Sequence, residues 1–133
     1  MTPAAIRDAI VGQLYNNYSR TPVAWPNRKF DPETEAPDGH WIRLNILMGG
    51  SVIGELGTEG LGFRYGVVKI QCFGPKGEDG RSVWVTAGTL EAIYRREVLS
   101  DCIILDEPST NEVGTDDKWY QLAVDVPFTI LNV

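Results

Sequence analysis

Tyr120, Leu122, Val124, Val126, Phe128 and Ile130 place an apolar side chain at every second position for eleven residues. That period describes one long β-strand with an uninterrupted buried face, and a face of that length must be covered by another layer. Pro127 falls in the opposite register and predicts an edge position or a bulge, because proline gives no ladder hydrogen bond. Two further runs share the period. In the first, Ile42, Leu44, Ile46 and Met48 alternate with Trp41, Arg43, Asn45 and Leu47, and Gly49-Gly50 is expected to stop it. The second runs from about Phe63 to Phe73, with Val68, Ile70 and Cys72 inward and Lys69 and Gln71 outward, and Gly74-Pro75 closes it. Glycines between Gly49 and Gly66 are too dense for a long strand, so Gly49 to Gly62 reads as a flexible excursion or an extended hairpin. Cys102 to Leu105 reads as a short buried strand, and Asp106 to Lys118 as a polar, acid-rich loop.

The covering layer is helical. Thr2 is suited to cap a helix whose first position is Pro3, and Ile6, Ile10, Leu14 and Tyr18 then recur every four residues. Thr21-Pro22 ends that helix, since a residue before proline leaves the helical region. Val23 to Pro32 carries Trp25 and Phe30 between prolines and predicts an ordered extended segment, followed by a surface loop from Asp31 to Gly39. A second helix begins near Asp79-Gly80, buries Val83, Ala87, Leu90 and Tyr94, and ends with Arg95 and Arg96 in its last turn. Helix, strands, helix, strands lacks the regular alternation of a doubly wound sheet. The expected fold is α+β, a mostly antiparallel (mixed) sheet packed against two α-helices with long loops, as a single domain over residues 1–133.

Chemistry is sparse. The 133 residues carry a formal net charge of −6, the wrong sign for neutralising phosphates, so specific nucleic-acid binding is not expected. No apolar run is long enough to span a bilayer, and Met1 to Ile6 lacks the basic start of a secretory signal, so the chain is expected to remain where it is made. Cys72 and Cys102 sit in apolar runs without metal-ligand spacing; they read as reduced, buried residues, with a disulfide between neighbouring strands as the alternative. His40 is the sole histidine and reads as a partly exposed loop residue, no GxSxG elbow occurs, and no zinc set is present. Gly74 to Arg81 resembles a phosphate loop only superficially. Asp79 stands where the second glycine of GxxxxGK[ST] belongs, and Glu78 and Asp79 occupy the place of an anion, so they are expected to cap the helix themselves. Asp106, Glu107, Glu112, Asp116 and Asp117 lack a calcium pattern; they are either a solvated surface or, if copies surround a channel, a wall that repels a polyanion. No catalytic residue, cofactor or metal is expected.

The order of features carries more than any one of them. The capped N-terminal helix, Trp25-Pro26-Asn27-Arg28-Lys29-Phe30, His40 to Asn45, Arg64 to Gly77 and the terminal W-x-x-L-x-V-x-V-P-F pattern from Trp119 to Phe128 together resemble the tail terminator family of long-tailed bacteriophages. These are the small proteins similar to the minor tail protein U of phage lambda. The resemblance spans nearly the whole chain and implies an α+β fold, no catalytic residues, and a hexameric ring capping the head-proximal end of a siphophage tail tube. It further implies assembly in the bacterial host cytoplasm and residence in the virion. Its partners would be other copies of the chain, the tail tube protein and a head-completion or neck protein, with DNA passing through the ring without specific binding and no membrane involved.

A terminator needs surface rather than chemistry: one face complementary to the last ring of the tube and another that the next tube subunit cannot match. The loops Gly49 to Gly62 and Asp106 to Lys118 are the expected suppliers of such contacts, through Glu55, Glu59, Asp116 and Asp117. Arg28 and Phe30 join them as a cation beside an exposed aromatic, the alternative being that Trp25 and Phe30 fold back onto the core. Two other functions compete: a neighbouring neck or tail-completion protein, and an enzyme or small-ligand domain using a pocket between helix and sheet.

Overall fold

The computed structural model describes residues 2–53 and 62–131. Thr2 accepts a hydrogen bond from the Ala5 amide at 3.1 Å and Pro3 takes the first position of α1, Pro3–Asn17, whose Ile6, Ile10 and Leu14 are buried. The chain then makes β1 (Val23–Ala24) and a short α2 (Pro32–Glu35) capped by Asp31, so the expected surface loop contains a turn of helix. The strands β2 (Trp41–Ile53) and β3 (Gly62–Pro75) follow, then α3 (Arg81–Tyr94), β4 (Val98–Leu99), β5 (Ile103–Leu105), β6 (Ser109–Thr115) and β7 (Trp119–Leu131). The strand order is β1-β2-β3-β7-β5-β4, with β6 also on β7; only β1 and β2 pair in parallel. The α+β class and the mostly antiparallel mixed sheet are as expected, with three helices rather than two.

One face of the sheet carries the core. Ile42 and Leu44 of β2, Val68, Ile70 and Cys72 of β3, and the even-numbered residues of β7 from Leu122 to Ile130 pack beneath α1 and the Val83, Ala87, Leu90 and Tyr94 face of α3. Each such aliphatic or aromatic side chain contributes about 1.5–3 kcal/mol by leaving water. Polar ties set how the helices lie: the Tyr94 hydroxyl donates to the Ile10 carbonyl at 2.8 Å, Gln13 donates to the Ile93 carbonyl at 2.9 Å, and Arg20 donates to the buried Thr86 hydroxyl at 2.9 Å.

Four local expectations are corrected. Gly49-Gly50 does not end β2; the register shifts between Met48 and Ser51 and pairing resumes at Ser51 with Arg64, so the glycines sit at a bulge. A side chain at Gly49 would stand 2.7 Å from the Tyr65 ring, so close approach of that ring is what requires glycine there. The supposed loop from Asp106 to Lys118 contains β6, hidden from period-two reading because nearly all its residues are exposed. Arg95 and Arg96 lie just past α3, Arg95 at its C-cap and Arg96 at a positive φ of 54°, rather than in its last turn.

Pro127 is the fourth. β7 is a central strand, paired along its whole length with β3, while its other side is shared by β6 from Tyr120 to Asp125 and by β5 from Phe128 to Ile130. Pro127 falls in the gap between those two short partners. Its carbonyl accepts from the Asp106 amide at 2.8 Å, so its nitrogen faces the same gap, where neither strand runs and no ladder bond is lost.

Candidate functional site

The residues expected to act cluster at the end of the sheet where β2 and β7 begin. On the face opposite the main core, Trp41 stacks on Phe73 with ring centroids 3.9 Å apart and planes 6° apart, and meets Trp119 edge-on at 5.8 Å. Phe30 stacks on the other side of Trp41 at 5.2 Å, and Ala24 and Ala36 complete this second small core. Phe30 therefore folds back onto the protein, half-buried, while its neighbour Arg28 is exposed. Asn27, at a φ of 57°, turns the chain so that Arg28 stands at a cleft of about 270 Å³ shared with Arg43, Asn45 and Phe30. The Arg43 guanidinium lies over the Trp41 ring at 5.2 Å and the Phe73 ring at 5.8 Å, a cation held by aromatic faces. The cleft thus sets the exposed Arg28 beside an Arg43 held over aromatic rings. It has no nucleophile and no acid to do chemistry.

The acids divide by role. Asp116 builds the β6–β7 turn: its carboxylate accepts from the Lys118 and Trp119 amides at 2.9 and 2.7 Å and from the Gln121 side chain at 2.7 Å, and the Lys118 and Trp119 amide hydrogen bonds hold its pKa below the usual carboxylate value. Asp117 beside it is exposed. Glu107 binds Arg95 at 2.9 Å and Arg96 at 3.1 Å, and Glu91 binds Arg95 at 2.8 Å while accepting from the Thr110 hydroxyl. Glu112 accepts from the Tyr120 hydroxyl at 2.6 Å, which in turn accepts from the Trp84 indole at 2.9 Å, so this chain ties α3 to β7 and β6. Glu55 and Glu59 lie outside the described residues.

Among the described residues the groups capable of chemistry stand apart from one another. His40 is mostly buried and faces only Glu78, at 3.9 Å. Asp79 accepts from the Arg81 amide at 2.9 Å, so an acid does satisfy the start of α3, although Gly80 rather than Asp79 is the N-cap. Burial pushes the Cys72 thiol up to about 12, which keeps it protonated and unreactive, and Cys102 is half-buried rather than fully enclosed. No disulfide joins the two. Among the described residues no group of three or more His, Cys, Asp or Glu side chains is placed to hold a metal ion, and no helix is long and apolar enough to cross a membrane.

Sequence reading overlooked the outer face of the sheet at its other end, where Leu47, Tyr65, Ile104 and Leu131 are exposed. A signal was present: Leu47, Phe63, Tyr65, Val67 and Leu131 are apolar residues in the outward register of their strands, which a reading of the inward face alone passes over.

Comparison with known proteins gives the family and the fold. A family model described as "Phage tail terminator protein" matches residues 5–128, which takes in α3, all but the first two residues of α1, and every strand apart from the last residues of β7. A solved structure 21% identical in sequence superposes with a TM-score of 0.74, covering 98% of this chain and 96% of its own, and at that identity it shows the shared fold alone. No curated protein matches the sequence.

Proposed function

Because this chain belongs to the phage tail terminator protein family, a structural component of the phage tail, we propose that six copies form a ring that caps the head-proximal end of the phage tail tube. The ring stops tube growth and readies the tail for joining to the head. The observation that carries this reading is the family match over residues 5–128.

The surface supports it in physical terms. A cap must bind the last ring of tube protein on one side and present a head-completion or neck protein with a different face on the other. Arg28 and the aromatic-held Arg43 offer a basic cleft to an acidic group on the tube or neck protein, and exposed Asp117 offers the opposite charge. A chain of net charge −6 lining a channel repels DNA, so the genome passes without adhering to the wall. Tail-end assembly places the working protein in the virion, put together in the cytoplasm of the bacterial host.

Cryo-electron microscopy of virions carrying a tag on this chain tests the placement. Six tagged copies in one ring, between the topmost tube ring and the neck, are expected. Tags in the neck itself, or along the tube, would replace the terminator reading with that of a neighbouring tail-completion protein or a tube component.

A further inference from the structure

The outer face of the sheet changes character along its length. Near Trp41 it is closed by the aromatic cluster, and in its middle it is polar, with Lys69 3.8 Å from Asp125. Beyond that it is apolar. The register sets Leu47 beside Val67 and Val67 beside Pro127, then Tyr65 beside Thr129, Thr129 beside Ile104 and Ile104 beside Val98. These rows cross β2, β3, β7, β5 and β4 without a charged side chain. Leu47, Tyr65, Val98, Ile104 and Leu131 are each between 41% and 54% exposed. Their bare surface is on the order of 500 Å², near the upper end of what a monomer leaves uncovered and more than half of the ~800 Å² that one partner brings to a standard interface.

The helical layer on the other side of the sheet carries a second such surface. Half a turn away from the Val83, Ala87, Leu90 and Tyr94 side of α3 stand Val85, Gly88 and Ala92, with Trp84 at their flank. The outward face of a surface helix ordinarily carries charge. Here Trp84 and Val85 are 45% and 39% exposed, and nothing stands within 4 Å of where a Cβ on Gly88 would lie, so another backbone can come close.

We propose that these two surfaces are the halves of one contact, with α3 of one copy of this chain lying across the bare sheet end of the next. The proposal rests on the ring reading and assigns its subunit interface. Three observations favour a second copy as the occupant. The surfaces lie on opposite layers, so they cannot meet within one molecule, and a contact between unlike surfaces runs head to tail and closes into a ring when its rotation divides the circle. The packing repeats on the outer face what α3 already does on the inner face, over β3 and β7. The bare sheet end carries no charge, and the charged residues in line with Val85, Gly88 and Ala92 on α3 are the cations Arg81 and Arg95, so in a chain of net charge −6 joining the two surfaces buries no acid against an acid.

Analytical ultracentrifugation of the full chain and two exposed-site variants tests the assignment. Wild type is expected to form a closed ring, and Ile104→Glu and Val85→Glu each to stay monomeric with unchanged circular dichroism. Mixed in equal amounts, the two variants are expected to form dimers and nothing larger, because each pair retains one sound sheet end and one sound helix face; the dimer itself shows that both are folded. Rings formed by either variant alone overturn the assigned surfaces and leave the ring reading standing, as does a mixture without dimers. A wild-type chain that remains monomeric at every concentration also overturns the proposal, and whether the chain ends tail growth is then decided by tail length.

Discussion

Asp116 is the residue around which the β6–β7 turn closes, and its chemistry gives a pH signature. Hydrogen bonds from the Lys118 and Trp119 amides lower its pKa from the ordinary value of 3.8, so the unfolded chain holds this proton more tightly than the folded one. The stabilisation is therefore complete above 3.8 and is lost as pH falls through the lowered folded value. Urea unfolding of wild type and Asp116→Asn is expected to differ most above about pH 5 and to converge only as pH falls well below 3.8. Phe30 makes a second prediction at this scale. It stacks on Trp41, so Phe30→Ala is expected to lower unfolding free energy by about 1–2 kcal/mol in the isolated chain, read by urea titration; an unchanged midpoint would return Phe30 to a purely external role. What the sequence could not say of Phe30 was which way it faced. A lone aromatic between prolines has no period, and its burial depends on Trp41 and Phe73, more than ten and forty residues away along the chain.

Elements were legible where one face is buried and the other is not. Ile6, Ile10 and Leu14 gave α1, Val83, Ala87, Leu90 and Tyr94 gave α3, and the even positions of β7 gave the central strand. β6 was illegible for the converse reason: with most of its residues exposed, nothing selects apolar side chains at alternate positions, and only pairing with β7 makes it a strand. Glycine misled in a related way. Gly49 and Gly66 read as breakers, yet both are demanded by close packing inside a hairpin, and a Cβ on Gly66 would lie 2.4 Å from the Leu47 carbonyl oxygen and 2.6 Å from the Phe128 ring. Gly66→Ala is accordingly expected to cost at least about 2 kcal/mol in denaturant unfolding. Pro127→Ala is expected to change stability by less than about 1 kcal/mol, because the amide it restores faces the gap between β5 and β6 rather than a missing ladder bond. A large gain from that substitution would contradict the placement of the proline.

At the scale of the whole molecule, the α+β class followed from the sequence of periods, but the strand order did not, because which strand pairs with which is settled by contacts far apart in the chain. The first and last long strands of the core end up flanking β3, and that arrangement leaves one end of the outer sheet face bare. The family was legible in the order of whole-chain features rather than in any single site. Association among copies that each carry a net charge of −6 is opposed by repulsion that salt screens. Raising ionic strength from about 0.05 to about 0.5 M is therefore expected to shift sedimentation toward the larger species, whereas assembly through opposite charges would weaken. The account as a whole depends on the chain ending tail growth. The most direct measurement is the length distribution, by electron microscopy, of tails assembled with and without it: the account predicts tubes of variable, excessive length that fail to join heads when it is omitted, and tails of normal, uniform length in its absence would contradict it.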